Sequence, residues 1–224
     1  MKKNLALVFS TFSLNNDKKR LDEYAACYKQ FLRIIPNDFD VVFIDNSVSS
    51  ITDINNENLK NILQGQKIIF SNSNKGLKNK GVGELSMLID ADKNIDFMQY
   101  NTICYCTGRK FFTCPYAFDK ATSTDKLATV SNPDYLYLDG TLIKSAPYMY
   151  NDMFFAMKSH IMKKFILETE PKLETMEISM INSETNLFDF INKHQIEVNF
   201  LNSIGLVRSD NYAVSSDKFT YHIC

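Results

Sequence analysis

Three short apolar runs, each stopped by small polar residues and followed by a helical stripe, order the first part of this chain. Leu5 to Phe12 is the first run, and Val41-Val42-Phe43-Ile44 is the second, ending at Asp45-Asn46-Ser47. Lys67 to Ser71 is the third. After Asn15-Asn16-Asp17, residues Leu21, Tyr24, Ala25, Tyr28, Phe31, Leu32 and Ile35 recur at helical spacing until Pro36 stops them. Leu59, Ile62 and Leu63 follow the polar Asn55-Asn56-Glu57-Asn58, and Val82, Leu85, Leu88 and Ile89 make a third stripe. Strands that are apolar throughout are buried on both faces, as in a parallel sheet covered by helices. The order β-α-β-α-β-α therefore predicts an α/β fold with a mostly parallel central sheet flanked by helices.

The remainder is more mixed. Asn101 to Phe112 is strand-like, and Tyr135 to Leu138 is a further strand. Asp152 to Leu167 reads as a helix with Phe155, Ile161, Met162 and Phe165 inward. Ser183 is expected to cap a helix carrying Leu187, Phe188 and Ile191, and Glu197 to Leu201 is a last strand. Nothing repeats and no Gly/Ser/Pro linker divides the chain, so residues 1–224 read as one domain.

With 224 residues, 45% of them hydrophobic, the chain can bury one sizeable core. Its net charge of −1 gives no basic field for nucleic acid. No apolar run reaches the ~18 residues of a membrane span. Leu5 to Phe9 is too short for a signal peptide and reads as a strand. Five cysteines at irregular spacing fit a reducing compartment better than a disulfide framework. Cys104, Cys106 and Cys114 lack Cys-x-x-Cys spacing and the three histidines are scattered, so no metal ligands are assigned. In a strand Cys104 and Cys106 share one face, which suits buried thiols.

Four constellations carry chemistry. Ser10-Thr11-Phe12 and Asp45-Asn46-Ser47 both sit where a parallel strand meets its loop, the edge at which open α/β sheets bind ligands. A carboxylate there can accept from a base or a ribose hydroxyl, and Phe12 can offer a flat surface; a plain turn at Asp45 or Asn46 fits equally well. Asn74-Lys75-Gly76, with Lys78 and Lys80 nearby, is a cationic loop before a helix; it suits a diphosphate or is simply solvated. Thr107-Gly108-Arg109-Lys110 ends a strand with a glycine and a guanidinium, a pairing suited to phosphate or carboxylate, or an exposed basic turn. Asp152 and Glu184 stand at predicted helix starts, where carboxylates cap; they are also the best-placed acceptors for a hydroxyl proton. Asp90-Ala91-Asp92 falls near a helix end and reads as solvated, not as a metal pair.

The order of these motifs resembles the GT-A glycosyltransferases, especially the bacterial family-2-like enzymes that build surface polysaccharides. The resemblance covers the first 115 residues best, implying a nucleotide-sugar-binding half (1–115) and an acceptor-side half (116–224). It implies a nucleotide-diphosphate sugar donor held by Thr11, Phe12, Asp45, Asn46, Asn74, Lys75, Gly76, Gly108 and Arg109. It further implies Asp152 or Glu184 as the base and a glycan or lipid-linked glycan acceptor in capsule or lipopolysaccharide synthesis. The expected place is the cytoplasm, including the inner face of the membrane, where Lys158, Lys163 and Lys164 flank Ile161, Met162 and Phe165. Family members carry Asp-x-Asp after the fourth strand to bind Mg²⁺ or Mn²⁺; here Cys106-Thr107-Gly108-Arg109 stands instead. No cofactor is therefore assigned, a divalent metal stays open, and Arg109 or Lys110 can neutralise the diphosphate instead. A non-catalytic nucleotide-sugar-binding relative or partner subunit is the alternative. A methyltransferase is disfavoured, because no Gly-x-Gly loop follows the first strand.

Overall fold

The first strand is buried along its whole length, and its alternate side chains feed two separate cores. Leu5, Leu7 and Phe9 point into one, while Ala6 and Val8 point into the other. That is the period of two of an extended chain sandwiched between helix layers. The structure, a computed structural model, describes residues 2–12, 18–71, 78–131, 135–138, 141–144, 150–201, 206–209 and 219–221.

In chain order the elements are β1 (Asn4–Ser10), α1 (Lys18–Ile34), β2 (Phe39–Asp45), α2 (Glu57–Leu63), β3 (Lys67–Phe70), α3 (Lys80–Asn94), β4 (Thr102–Thr107) and β5 (Lys110–Phe112). There follow α4 (Tyr116–Thr122), β6 (Leu127–Ser131), β7 (Tyr135–Leu138), β8 (Thr141–Lys144), β9 (Tyr150–Lys158), α5 (Ser159–Thr169), α6 (Leu173–Ser179), α7 (Ser183–His194), β10 (Val198–Leu201), β11 (Leu206–Ser209) and β12 (Phe219–Tyr221). Among the described residues the central sheet has seven strands in the order β10-β6-β9-β4-β1-β2-β3. All pairs are parallel except those made by β9, which runs against β4 and β6. The expected α/β class and mostly parallel sheet are what the chain forms.

Helices α1, α2 and α4 cover one face; α3, α5, α6 and α7 cover the other. The chain thus leaves β1 toward β2 on one side and later returns to β4 on the opposite side of β1. This reversal of strand order opens a crevice between the C-terminal ends of β1 and β4.

Several sequence expectations are corrected. Residues 152–158 are not helical: β9 runs from Tyr150 to Lys158, and only Ser159–Thr169 is helix. Phe154 enters one core and Phe155 the other. A helix would turn the two only about 100° apart and leave one without its core. Burying a Phe is worth about 2–3 kcal/mol, against helix-propensity differences below about 1 kcal/mol. The strand-like stretch 101–112 breaks at Gly108-Arg109, so β5 pairs with β11 in a separate small sheet. The cap of α7 is Asn182, whose side chain accepts from the Thr185 N–H at 2.8 Å; Ser183 is the first helical residue. Asp90 and Asp92 are not simply solvated, since they engage Ser71 and Lys163 respectively. Met162 and Phe165 are buried in the core, which removes them from any membrane-facing stripe. Among the described residues no helix is long and apolar enough to cross a membrane.

Candidate functional site at the β1–β4 crevice

The edge of the sheet is tied together by one carboxylate. Asp45 closes β2 and is fully buried. Its Oδ2 accepts the Phe12 N–H at 2.8 Å. Its Oδ1 accepts the Ser47 N–H and hydroxyl, each at 2.7 Å, and the Val48 N–H at 3.0 Å. Beside it, the Thr11 hydroxyl donates to Asn46 Oδ1 at 2.9 Å. Through these contacts Asp45 locks the β1 and β2 loops together. The Phe12 ring is buried edge-on against Tyr24 and Tyr28.

Gly108 joins the fourth strand to this knot. Its N–H donates to the Phe9 carbonyl at 2.7 Å. A Cβ at this position would lie 2.5 Å from that carbonyl oxygen and 2.6 Å from the Tyr28 hydroxyl. Only glycine lets the turn after β4 come so close to β1. The turn carries Arg109 beside α1, where Nη1 donates to Glu23 at 3.1 Å. Its guanidinium carbon lies 6.0 Å from the centre of the Tyr24 ring.

Arg20, which the motif reading does not single out, meets the same ring. Its guanidinium carbon is 5.5 Å from the Tyr24 centroid. Its Nε donates to the Thr11 carbonyl at 3.1 Å and its Nη2 to the Tyr24 hydroxyl at 3.3 Å. The Tyr24 hydroxyl also accepts the Thr11 N–H at 3.1 Å. Burial raises the Tyr24 pKa, although Arg20 pulls the other way, so the phenol stays protonated. The signal was present in the sequence: Lys18-Lys19-Arg20 fills the first turn of α1 with cations and no acid. A helix N-terminus normally favours the opposite charge.

The other face of the same edge is built from helix N-termini. Asn79 caps α3 by accepting from the Gly81 N–H at 3.1 Å, and its amide donates to the Met176 and Ile181 carbonyls. A Cβ on Gly81 would come within 2.6 Å of the Ser183 nitrogen, so α3 and α7 begin side by side. Glu184 is in the first turn of α7 and accepts from the Ser183 hydroxyl at 3.2 Å. One turn into α3, the buried Glu84 accepts from the Tyr105 hydroxyl at 3.0 Å and pairs with Lys80 at 3.2 Å. Its sequence signal is a lone carboxylate within the apolar run from Val82 to Ile89.

Asp152 lies on β9 two residues before Phe154, which pairs with Cys106. Its backbone is therefore at this same edge; its side chain lies outside the described residues. Asn74, Lys75 and Gly76 also lie outside them. A cavity of about 450 Å³ lies elsewhere, against the edge strand β3 and α3, lined by Ile69, Ser71, Asp90, Lys93 and Glu170 among others.

The donor set after β4 does not fit a divalent cation, for a guanidinium already paired with Glu23 stands there. Among the described residues no group of three His, Cys, Asp or Glu side chains is placed to hold a metal. Cys104 and Cys106 are buried, and burial raises both thiol pKa values. Cys27 is pushed up to about 12, chiefly by burial and further by Glu23. All three stay protonated and are inert as nucleophiles.

No protein-family model and no curated protein matches this sequence. Solved structures do. One is a crystal structure from Desulfovibrio desulfuricans G20, provisionally described as a nucleotide-diphospho-sugar transferase. It is 12% identical with a TM-score of 0.57, over 90% of this chain and 80% of that one. The fold is GT-A-like. At such low identity the likeness speaks for the fold alone.

Proposed function

We propose that the chain is a glycosyltransferase that moves a sugar from a nucleotide-diphosphate sugar to a glycan or lipid-linked glycan acceptor. The proposed setting is bacterial capsule or lipopolysaccharide synthesis, at the inner face of the membrane. One observation carries the reading: at the crevice of a GT-A-like sheet, the Thr11–Asn46 contact, the Asp45 knot and the Gly108-Arg109 turn converge. Residues 1–115 would form the donor half and 116–224 the acceptor half.

In this reading Thr11, Asn46 and the loop of Asn74, Lys75 and Gly76 line the nucleotide pocket. Asp45 and Phe12 hold that pocket's frame from beneath. Glu184 or Asp152 takes the proton of the acceptor hydroxyl as its oxygen bonds the sugar's anomeric carbon. The bond from that carbon to the phosphate oxygen breaks, and its electron pair leaves with the diphosphate. Arg109 meets the charge that develops there, as a cation already in position. The dipole of α7 favours a carboxylate in its first turn, where Glu184 stands.

A second reading has its own support: Asp45 and Glu84 are both engaged within the protein. It makes the chain a nucleotide-sugar-binding relative or partner subunit without turnover. Incubation with UDP-, GDP- and CMP-sugars, with and without EDTA, separates the two. Transfer or donor hydrolysis that Asp152→Asn or Glu184→Gln lowers by about a hundredfold supports the enzyme. Binding with no turnover supports the subunit, and calorimetry that detects no nucleotide at all refutes both.

A further inference from the structure

Every polar contact of Arg20 among the described residues is with a neutral group: the Thr11 carbonyl and the Tyr24 hydroxyl. No carboxylate among them pairs with it, although its neighbour Arg109 is paired with Glu23. A half-buried guanidinium with no counter-ion among the described residues, at the edge where open α/β sheets bind ligands, suits an anion.

The surroundings hold it in that state. The bonds to Thr11 and to the Tyr24 hydroxyl use Nε and Nη2, and the guanidinium carbon lies 5.5 Å from the Tyr24 ring centre. Among the described residues the hydrogen bonds of Arg20 run from Nε and Nη2, and none is made by Nη1. Tyr24 is itself fixed edge-on by Phe12. Its hydroxyl accepts from Thr11 and Arg20, which leaves its own proton to donate. Arg109 flanks the same ring and brings a second positive charge from the end of β4. The two arginines come from elements far apart in the chain, and Gly108 alone permits the approach that joins them.

We propose that Arg20 is the principal phosphate-binding residue of this edge, with Arg109 as a second cation across Tyr24. The pair would receive a diphosphate without a divalent metal. This deepens the reading above and rests on it for the nucleotide, but not for the anion.

The test is calorimetry in EDTA with inorganic pyrophosphate, UDP, GDP, CMP and uridine, on the wild type, Arg20→Gln and Arg20→Lys. The wild type is expected to bind pyrophosphate. Arg20→Gln should weaken pyrophosphate and the preferred nucleotide by about tenfold or more, and leave any binding of uridine unchanged. Arg20→Lys keeps the charge and loses the fork, so a loss of about threefold or more is expected. It decides the matter if Arg20→Gln does not fold. Pyrophosphate that fails to bind the wild type, or binds Arg20→Gln and Arg20→Lys like the wild type, overturns the proposal. Nucleotide binding that ignores Arg20 leaves the transferase reading standing while this one falls. Arg20-dependent pyrophosphate binding without any nucleotide binding does the reverse.

Discussion

The two faces of the sheet meet at one edge with opposite charge. On the α1 side, Arg20 and Arg109 flank Tyr24. On the α3 and α7 side, Glu84 and Glu184 stand beside two helix N-termini. The cations are held against an aromatic ring, with Glu23 pairing Arg109, whereas the carboxylates are held by hydroxyls, by Lys80 at Glu84 and by helix dipoles. A donor that leaves as an anion and an acceptor that must lose a proton require these two environments, kept apart. The sheet keeps them apart because Tyr105 lies in the core of one face and Tyr24 in that of the other.

The strongest way to break this division is to loosen the frame of the cationic side. Asp45→Asn sets an amide N–H against a buried donor, and should cost about 3 kcal/mol in urea unfolding. A loss under about 1 kcal/mol would mean that the four contacts of Asp45 do not hold the edge. Gly108→Ala follows, at about 2 kcal/mol, since its Cβ would collide with the Phe9 carbonyl. It should also displace Arg109 and weaken pyrophosphate binding, while Gly65→Ala, in open space with a φ of 81°, should only strain its turn.

On the acidic side, Tyr105→Phe removes one of the groups that hold Glu84 and should cost about 1 kcal/mol. Pyrophosphate affinity should not change; if it does, the two sides are coupled through the sheet. The smallest effect lies at the opposite ends of these helices. Glu168, on α5, has its pKa lowered chiefly by the hydrogen bond from Lys193 and further by His194. Its contribution is full above its ordinary 4.5 and is lost as pH falls through the lower folded value. Chemical unfolding of Glu168→Gln should therefore show a deficit at neutral pH that disappears in acid.

The first half of the fold was legible because β1, β2 and β3 are short apolar runs separated by clean helical stripes. Every one of those elements stands within a few residues of its expected place. The failure at Asp152 has a local cause. Phe154 and Phe155 satisfy a helix stripe and a doubly buried strand alike, and only the presence of a core on each face of the sheet chooses. The site was legible in part. Asp45 and Gly108 announce strand ends, but whether a carboxylate faces a ligand or its own backbone depends on loops brought together by folding. Arg20 and Glu84 carry weaker signals, a run of cations in a helix's first turn and one carboxylate within an apolar stretch, which name no partner.

The sequence by itself determined the layers: the alternation of apolar runs and helical stripes leaves a helix-covered, mostly parallel sheet as the way to bury both faces. Tertiary structure alone decided the chemistry of the edge. Hydrogen-bond partners and counter-ions come from residues distant in the chain, such as Phe12 for Asp45, Glu23 for Arg109 and Tyr105 for Glu84. Asp45, the most conspicuous polar residue in the sequence, became the frame. The open charge passed to Arg20, because Glu23 reached Arg109 and no described carboxylate reached Arg20.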